Sequence, residues 1–95
     1  DQLSEKKIMD AKAYVDKSGI GAEPASCCSI GGAKKLREKG IIKEDESVVC
    51  ILTGNILKDT DSTINYHMKE NNEMSNKPIK VDCDFEKIKN LIKMK

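Results

Sequence analysis

The run Ser47-Val48-Val49-Cys50-Ile51-Leu52 constrains this chain more than any other stretch. It is apolar and unbroken, with Glu44, Asp45 and Glu46 on one side and Thr53-Gly54-Asn55 on the other, a pattern that predicts a strand buried on both faces. Such strands belong to parallel sheets covered by helices, so the expected fold class is α/β. One strand cannot make that sheet. The other extended candidates, Ile20-Gly21-Ala22 and Ile79 to Val81, are short and weak, so the pattern predicts an incomplete sheet whose partner strands come from elsewhere.

Helical signals surround the run. Ser4 followed by Glu5 reads as an N-cap with an acid in the first turn, and Ile8, Ala11 and Val15 recur at helical spacing until Gly19 supplies a stop. Pro24 favours a second helix start, because its missing N–H is one the first turn could not use. That helix is expected to reach about Lys39, with Ala25, Cys28, Gly32 and Leu36 on one face and Gly40 ending it. The Gly31-Gly32 pair inside it costs about 1 kcal/mol per residue relative to Ala, which predicts a close approach by a neighbour. Lys69 to Lys77 is polar and turn-rich and reads as a loop. A last amphipathic helix is expected from about Asp82 to Asp84 onward, carrying Phe85, Ile88, Leu91 and Ile92 on one stripe.

Ninety-five residues allow one domain at most, and a chain of that length buries only about 60 to 65% of its unfolded surface. Tyr14, Tyr66 and Phe85 are the only aromatics, so large core-filling pieces are scarce. Seventeen Lys+Arg against 16 Asp+Glu leave a formal charge of +1, too balanced for the footprint of a nucleic-acid or membrane-surface binder. No apolar run approaches the roughly 20 residues a membrane-spanning helix needs, and the amino end lacks a basic stretch followed by an apolar one. These features read as soluble and cytoplasmic. The first residue is Asp rather than Met, which suggests a processed product or a piece of something longer.

Cys27, Cys28, Cys50 and Cys83 show no pair at the spacing of a zinc knuckle or a redox centre, and His67, the only histidine, is far from all of them. No metal site is expected. Cys50 within the apolar run and Cys28 on the apolar side of the second helix read as buried free thiols in a reducing compartment.

At the carboxyl end of an α/β strand, side chains and N–H groups face the crevice where such folds bind ligands, and Thr53-Gly54-Asn55 occupies that place. Thr53 can donate a hydroxyl hydrogen bond to a neutral acceptor, or simply form a turn. Glu23, just before Pro24, is either an acid held at a helix N-terminus or a functional carboxylate. Ser26 has ordinary capping chemistry. No Ser/His/Asp set, acid dyad or phosphate-cradling loop is present, so the sequence holds no complete active site.

Glu23-Pro24-Ala25-Ser26 with Ser29 and Gly32, followed by Val49-Cys50-Ile51-Leu52-Thr53-Gly54-Asn55 and Leu57-Lys58-Asp59, resembles the C-terminal part of the threonine synthase family. That family comprises pyridoxal-phosphate lyases of fold type II, the tryptophan-synthase-β-like group. The helical pattern before these motifs, and Ile79-Lys80-Val81-Asp82 with the last helix after them, resemble the family's tail, so the likeness covers nearly the whole of 1–95 as one C-terminal segment of a larger domain. The resemblance implies pyridoxal 5'-phosphate as cofactor in the parent, with Thr53 matching the hydroxyl residue at its pyridine nitrogen and Glu23 the acid near its ring. It also implies a parent that converts O-phosphohomoserine and water to threonine and phosphate. The family's Schiff-base lysine and Gly-rich phosphate loop lie upstream of this segment, so no catalytic residue is expected in the chain, which alone should be inactive. Cys27-Cys28 stand where relatives usually have Ala-Ala, and Thr60 where they often have Pro.

Two other readings stay open. One is a free-standing small α/β binding module, which should be a monomer with a cooperative melt, whereas an orphaned sheet edge predicts self-association or a homodimer. The other is a segment of a related enzyme of the same cofactor fold, such as threonine dehydratase.

Overall fold

The computed structural model describes residues 2–69 and 72–94. Four helices follow one another: α1 (Glu5–Lys17), α2 (Pro24–Glu38), α3 (Thr60–Met68) and α4 (Phe85–Lys93). The first, second and last match the sequence pattern in position and in the chemistry of their ends. Ser4 accepts a hydrogen bond from the Lys7 N–H at 3.3 Å, and α1 stops at Ser18 before Gly19 at φ +84°. Pro24 opens α2, which ends at Lys39 before Gly40 at φ +75°. Asp84 caps α4 by accepting from the Lys87 N–H at 3.0 Å.

α3 is not foreshadowed by apolar periodicity. Its residues, Thr-Asp-Ser-Thr-Ile-Asn-Tyr-His-Met, are middling helix formers, and it depends on its N-cap. Asp59 accepts from the Ser62 N–H at 3.4 Å while holding φ at +56°, a left-handed conformation that Asp tolerates better than most residues. Glu70 and Asn71, within the expected loop, lie outside the described residues; the rest of that loop is irregular, as its composition predicts.

The strands expected at 20–22, 47–52 and 79–81 are not formed among the described residues. The α/β expectation is corrected to that extent: the chain shows helices joined by extended connectors. The reason is the one already visible in the sequence, that a ladder requires a neighbouring strand to receive its N–H and C=O groups. Nor is the 47–52 run buried on both faces. Leu52 packs against the helical core, while Val49 and Ile51 are 89% and 78% exposed. The run therefore lies along the helices by one edge and opens the other to solvent.

α1 and α2 form the principal helix pair, and the core lies along their seam. One cluster joins Val15, Ala22 and Cys27, flanked by Ala11, Ile30 and Leu52; a second joins Met9, Ala13 and Tyr66, flanked by Met74. The close approach anticipated at the glycine pair belongs to Gly31 alone, where an added Cβ would sit 2.9 Å from Leu3 Cδ1, whereas Gly32 faces open space. The inward face of α2 is thus Cys27 and Gly31, one position away from the expected Cys28 and Gly32 face, and Cys28 is exposed. A helix turns about 100° per residue, so that single step carries Cys28 out of the seam.

Two polar groups enter this core. The Tyr66 hydroxyl donates to Asp10 Oδ1 at 2.7 Å, and Lys6 Nζ meets Asp10 Oδ2 at 2.9 Å. Lys12, 1% exposed, reaches Asp16 at 2.8 Å and the Ala22 carbonyl at 2.9 Å. At the far end, α4 buries no residue, and Phe85 and Ile92 on its apolar stripe are 75% and 70% exposed. A nine-residue helix is marginal without tertiary packing, so this stripe has the character of a surface meant to be covered. The radius of gyration, 15.9 Å, exceeds the ~12 Å typical of a compact domain this long.

Candidate functional site

Thr53 and Glu23, 30 residues apart in sequence, meet at the end of the 47–52 run. Thr53 Oγ1 donates to Glu23 Oε1 at 3.4 Å, and the Glu23 N–H donates to the Thr53 carbonyl at 3.4 Å. Lys58 Nζ lies 3.7 Å from Glu23 Oε2, an ion pair with an exposed lysine and therefore worth at most about 1 kcal/mol. The structure thus brings together both residues singled out in the sequence and adds Lys58, from the Leu57-Lys58-Asp59 segment.

The two readings of Glu23 separate here. It occupies the N-cap position of α2, yet its side chain accepts no cap hydrogen bond. The carboxylate turns instead toward Thr53 and Lys58, so simple capping does not account for it. Ser26, the other expected cap, donates its hydroxyl to the Glu23 carbonyl at 3.0 Å, and Ser29 donates to the Ser26 carbonyl at 2.9 Å. Both serines serve the first turn of α2 by local backbone bonding.

Gly54 makes the arrangement fit. It holds φ at +74°, and a Cβ there would come within 2.6 to 2.9 Å of Glu23 Cδ, Cγ and Cβ. Glycine is required on both counts, conformation and space. The preceding connector is as tight, since a Cβ on Gly21 would meet Ile56 Cβ at 2.8 Å. The connector leading into Glu23 thus approaches the segment after Thr53 closely.

Other ionisable groups are engaged elsewhere. Burial raises the Cys27 thiol pKa, with nearby Lys12 opposing it only in part, so this thiol is a packing group. Burial, reinforced by the hydrogen bond to Asp10, pushes the Tyr66 hydroxyl up to about 12. Burial alone would raise Asp10, but the bonds from Tyr66 and Lys6 outweigh it and leave that carboxyl below its ordinary value. Tyr66 and Asp10 line a cavity of about 700 Å³ beside α1 and α3, and their polar atoms are already satisfied by each other and by Lys6. Among the described residues no group of three or more His, Cys, Asp or Glu side chains could hold a metal ion, and no helix is long and apolar enough to cross a membrane.

No protein-family model matches the chain. Curated proteins do. Threonine synthase from Methanocaldococcus jannaschii is 44% identical over 92 residues, and that from Methanosarcina acetivorans is 34% identical over 93 residues, 96% and 97% of this chain. Over nearly its whole length the chain is similar to threonine synthase. Chloroplastic threonine synthase 2 of Arabidopsis thaliana is 32% identical over 97 aligned residues, covering 98% of the chain. The match takes in only 21%, 21% and 19% of these three threonine synthases, so the chain spans about a fifth of their length.

The site has the donor chemistry for one edge of the cofactor that the threonine synthase resemblance implies. Thr53 offers a neutral hydroxyl donor, and Glu23, paired with Lys58, stands beside it as an acceptor-only carboxylate. That set suits a ring nitrogen. It does not suit a phosphate, against which the Glu23 carboxylate would be repulsive.

Proposed function

We propose that this chain is the C-terminal segment of a threonine synthase and forms one wall of its pyridoxal 5'-phosphate site. The parent converts O-phosphohomoserine and water to threonine and phosphate, while the lysine that anchors the cofactor and the loop that binds its phosphate belong to the other four-fifths of the enzyme. In that setting the 47–52 run becomes a strand of a fold type II α/β sheet, receiving the neighbours it lacks here, and the exposed faces of this run and of α4 are covered. The observation that carries the reading is the meeting of Thr53 and Glu23 over Gly54, at the end of that run, in a chain similar to threonine synthase throughout.

When bound, the cofactor supplies an electron sink for bonds at the substrate's α- and β-carbons. The Thr53 hydroxyl would hold the pyridine nitrogen by donating its single proton, and a hydroxyl, unlike a carboxylic acid, does not transfer that proton to the ring. In this structure the hydroxyl donates to Glu23 Oε1 at 3.4 Å, long for such a bond, so Glu23 orients the hydroxyl loosely and leaves it available to a ring nitrogen within its reach. Lys58 balances the Glu23 charge, which keeps the carboxylate from drawing a proton onto the nitrogen.

The test uses the full-length enzyme with Thr53→Val and Thr53→Asp. Phosphate release from O-phosphohomoserine should fall by about 100-fold in either variant, and Thr53→Asp should shift the cofactor's absorbance as its nitrogen gains a proton. An unaltered rate and spectrum in both would refute the placement of Thr53, and no phosphate release by the unmodified enzyme would refute the activity. The relatives found are threonine synthases, which favours this reading over threonine dehydratase, and the apolar stripe on α4 argues against a self-sufficient binding module.

A further inference from the structure

We infer that Lys12, buried in the middle of α1, is a positioning residue for the Glu23–Thr53 pair, acting through the single peptide group that joins Ala22 to Glu23. The inference rests on the reading of that pair as the cofactor-facing site. The oxygen of this peptide accepts from Lys12 Nζ at 2.9 Å, and its N–H donates to the Thr53 carbonyl at 3.4 Å. A peptide unit is planar, so bonds at its two opposite edges set its orientation and with it the direction in which the Glu23 side chain leaves the backbone. The ammonium at the oxygen also polarises the unit and strengthens its N–H as a donor to Thr53. One buried side chain thereby fixes both the carboxylate and the backbone of the hydroxyl residue.

The cost of Lys12 supports this role over a purely stabilising one. It is 1% exposed beside the Val15, Ala22 and Cys27 cluster, where an aliphatic side chain would fill the space without desolvating a charge. Its counter-ion Asp16 bonds it through Oδ2 at 2.8 Å, while Asp16 Oδ1 is buried with no hydrogen-bond partner. Buried pairs of this kind are often replaced by apolar residues without loss of stability, so what the lysine adds is the bond to one particular carbonyl. Gly21 lies close to Ile56 on the other side: a Cβ there would come within 2.8 Å of Ile56 Cβ, so the connector also approaches the segment after Thr53.

The experiment compares Lys12→Met/Asp16→Leu with the unmodified full-length protein. Removing both partners avoids stranding a charge, so the melting temperature should stay within a few degrees. Amide hydrogen exchange across residues 20–24 should nevertheless accelerate by about tenfold or more. In the cofactor-loaded enzyme, kcat should fall by about tenfold or more, with KM nearly unchanged. Should the double variant fail to fold, Lys12→Gln serves the same purpose: its amide nitrogen ends one atom short of the position from which Nζ reaches both Asp16 and the Ala22 carbonyl, so exchange at 20–24 should rise likewise. Unchanged exchange in a folded variant overturns the role of Lys12. If Thr53→Val leaves the cofactor spectrum unaltered while exchange responds to Lys12 as described, it is the cofactor reading that falls and the positioning role that stands.

Discussion

Replacing Gly54 with Ala should disturb the molecule in two separable ways. The first is conformational: at φ +74° an L-residue pays about 1 to 2 kcal/mol relative to glycine. The second is steric. The new methyl would lie 2.6 Å from Glu23 Cδ, 2.7 Å from Cγ and 2.9 Å from Cβ, whereas ordinary contact begins near 3.4 Å. The Glu23 side chain would have to withdraw by most of an ångström, giving up its contacts to Thr53 and Lys58, which adds about 1 to 2 kcal/mol. The sum, about 2 to 4 kcal/mol, is large for a surface glycine. A double-mutant cycle with Glu23→Gly isolates the steric part, because that change removes all three opposing atoms and leaves the φ penalty in place. Urea unfolding of the four proteins should give a coupling energy of about 1 kcal/mol or more, with Gly54→Ala costing less in the Glu23→Gly background. Additivity within about 0.5 kcal/mol would refute the stacking of Glu23 on Gly54.

Tyr66→Phe should cost about 1 to 2 kcal/mol near neutral pH, since it removes a 2.7 Å bond to a partly exposed carboxylate. It should also flatten the pH dependence of unfolding at both ends. Asp10 contributes stability above its unfolded pKa that is lost as pH falls through its lowered folded value, and Tyr66 contributes stability below its unfolded pKa that is lost as pH rises through about 12. An unchanged stability–pH curve would sink both assignments. Gly32→Ala should stabilise by about 0.5 to 1 kcal/mol, because its Cβ enters open space in mid-helix, while Gly31→Ala should gain less because its Cβ pushes on Leu3; equal thermal shifts would contradict the packing of α2. A thiol reagent followed by mass spectrometry should modify exposed Cys28 and Cys83 quickly and Cys27 only as the chain opens; labelling of Cys27 at the rate of Cys28 would place α2 in the wrong rotation.

Local chemistry made much of this chain legible. Ser4, Gly19, Pro24, Gly40 and Asp84 act on backbone groups within a turn of themselves, so they placed both ends of α1 and α2 and the start of α4 without knowledge of the fold. Thr53 and Glu23 stood out because a hydroxyl at the end of an apolar run and an acid before a helix-opening proline are recognisable residue types at recognisable places. α3 escaped because an N-cap with little apolar periodicity behind it is a weak signal, although Asp59 before Thr60-Asp61-Ser62 carried one. The rotation of α2 escaped for a different reason: either glycine of the pair could have faced the seam, and the contact with Leu3 and Ala11 selected Gly31.

Short-range bonding, then, is written residue by residue, and with it the helix ends, the apolar run and the kinds of side chain available for chemistry. Long-range juxtaposition is not. That Thr53 meets Glu23, that Lys58 stands beside them, and that Lys12 reaches the carbonyl ten residues ahead depend on how the 47–52 run lies against the α1 and α2 seam. The same distinction explains the missing strands. Extended propensity is a property of Ser47 to Leu52, but a ladder is a property of two strands, and the second must supply the hydrogen-bonding groups that no residue can provide for itself.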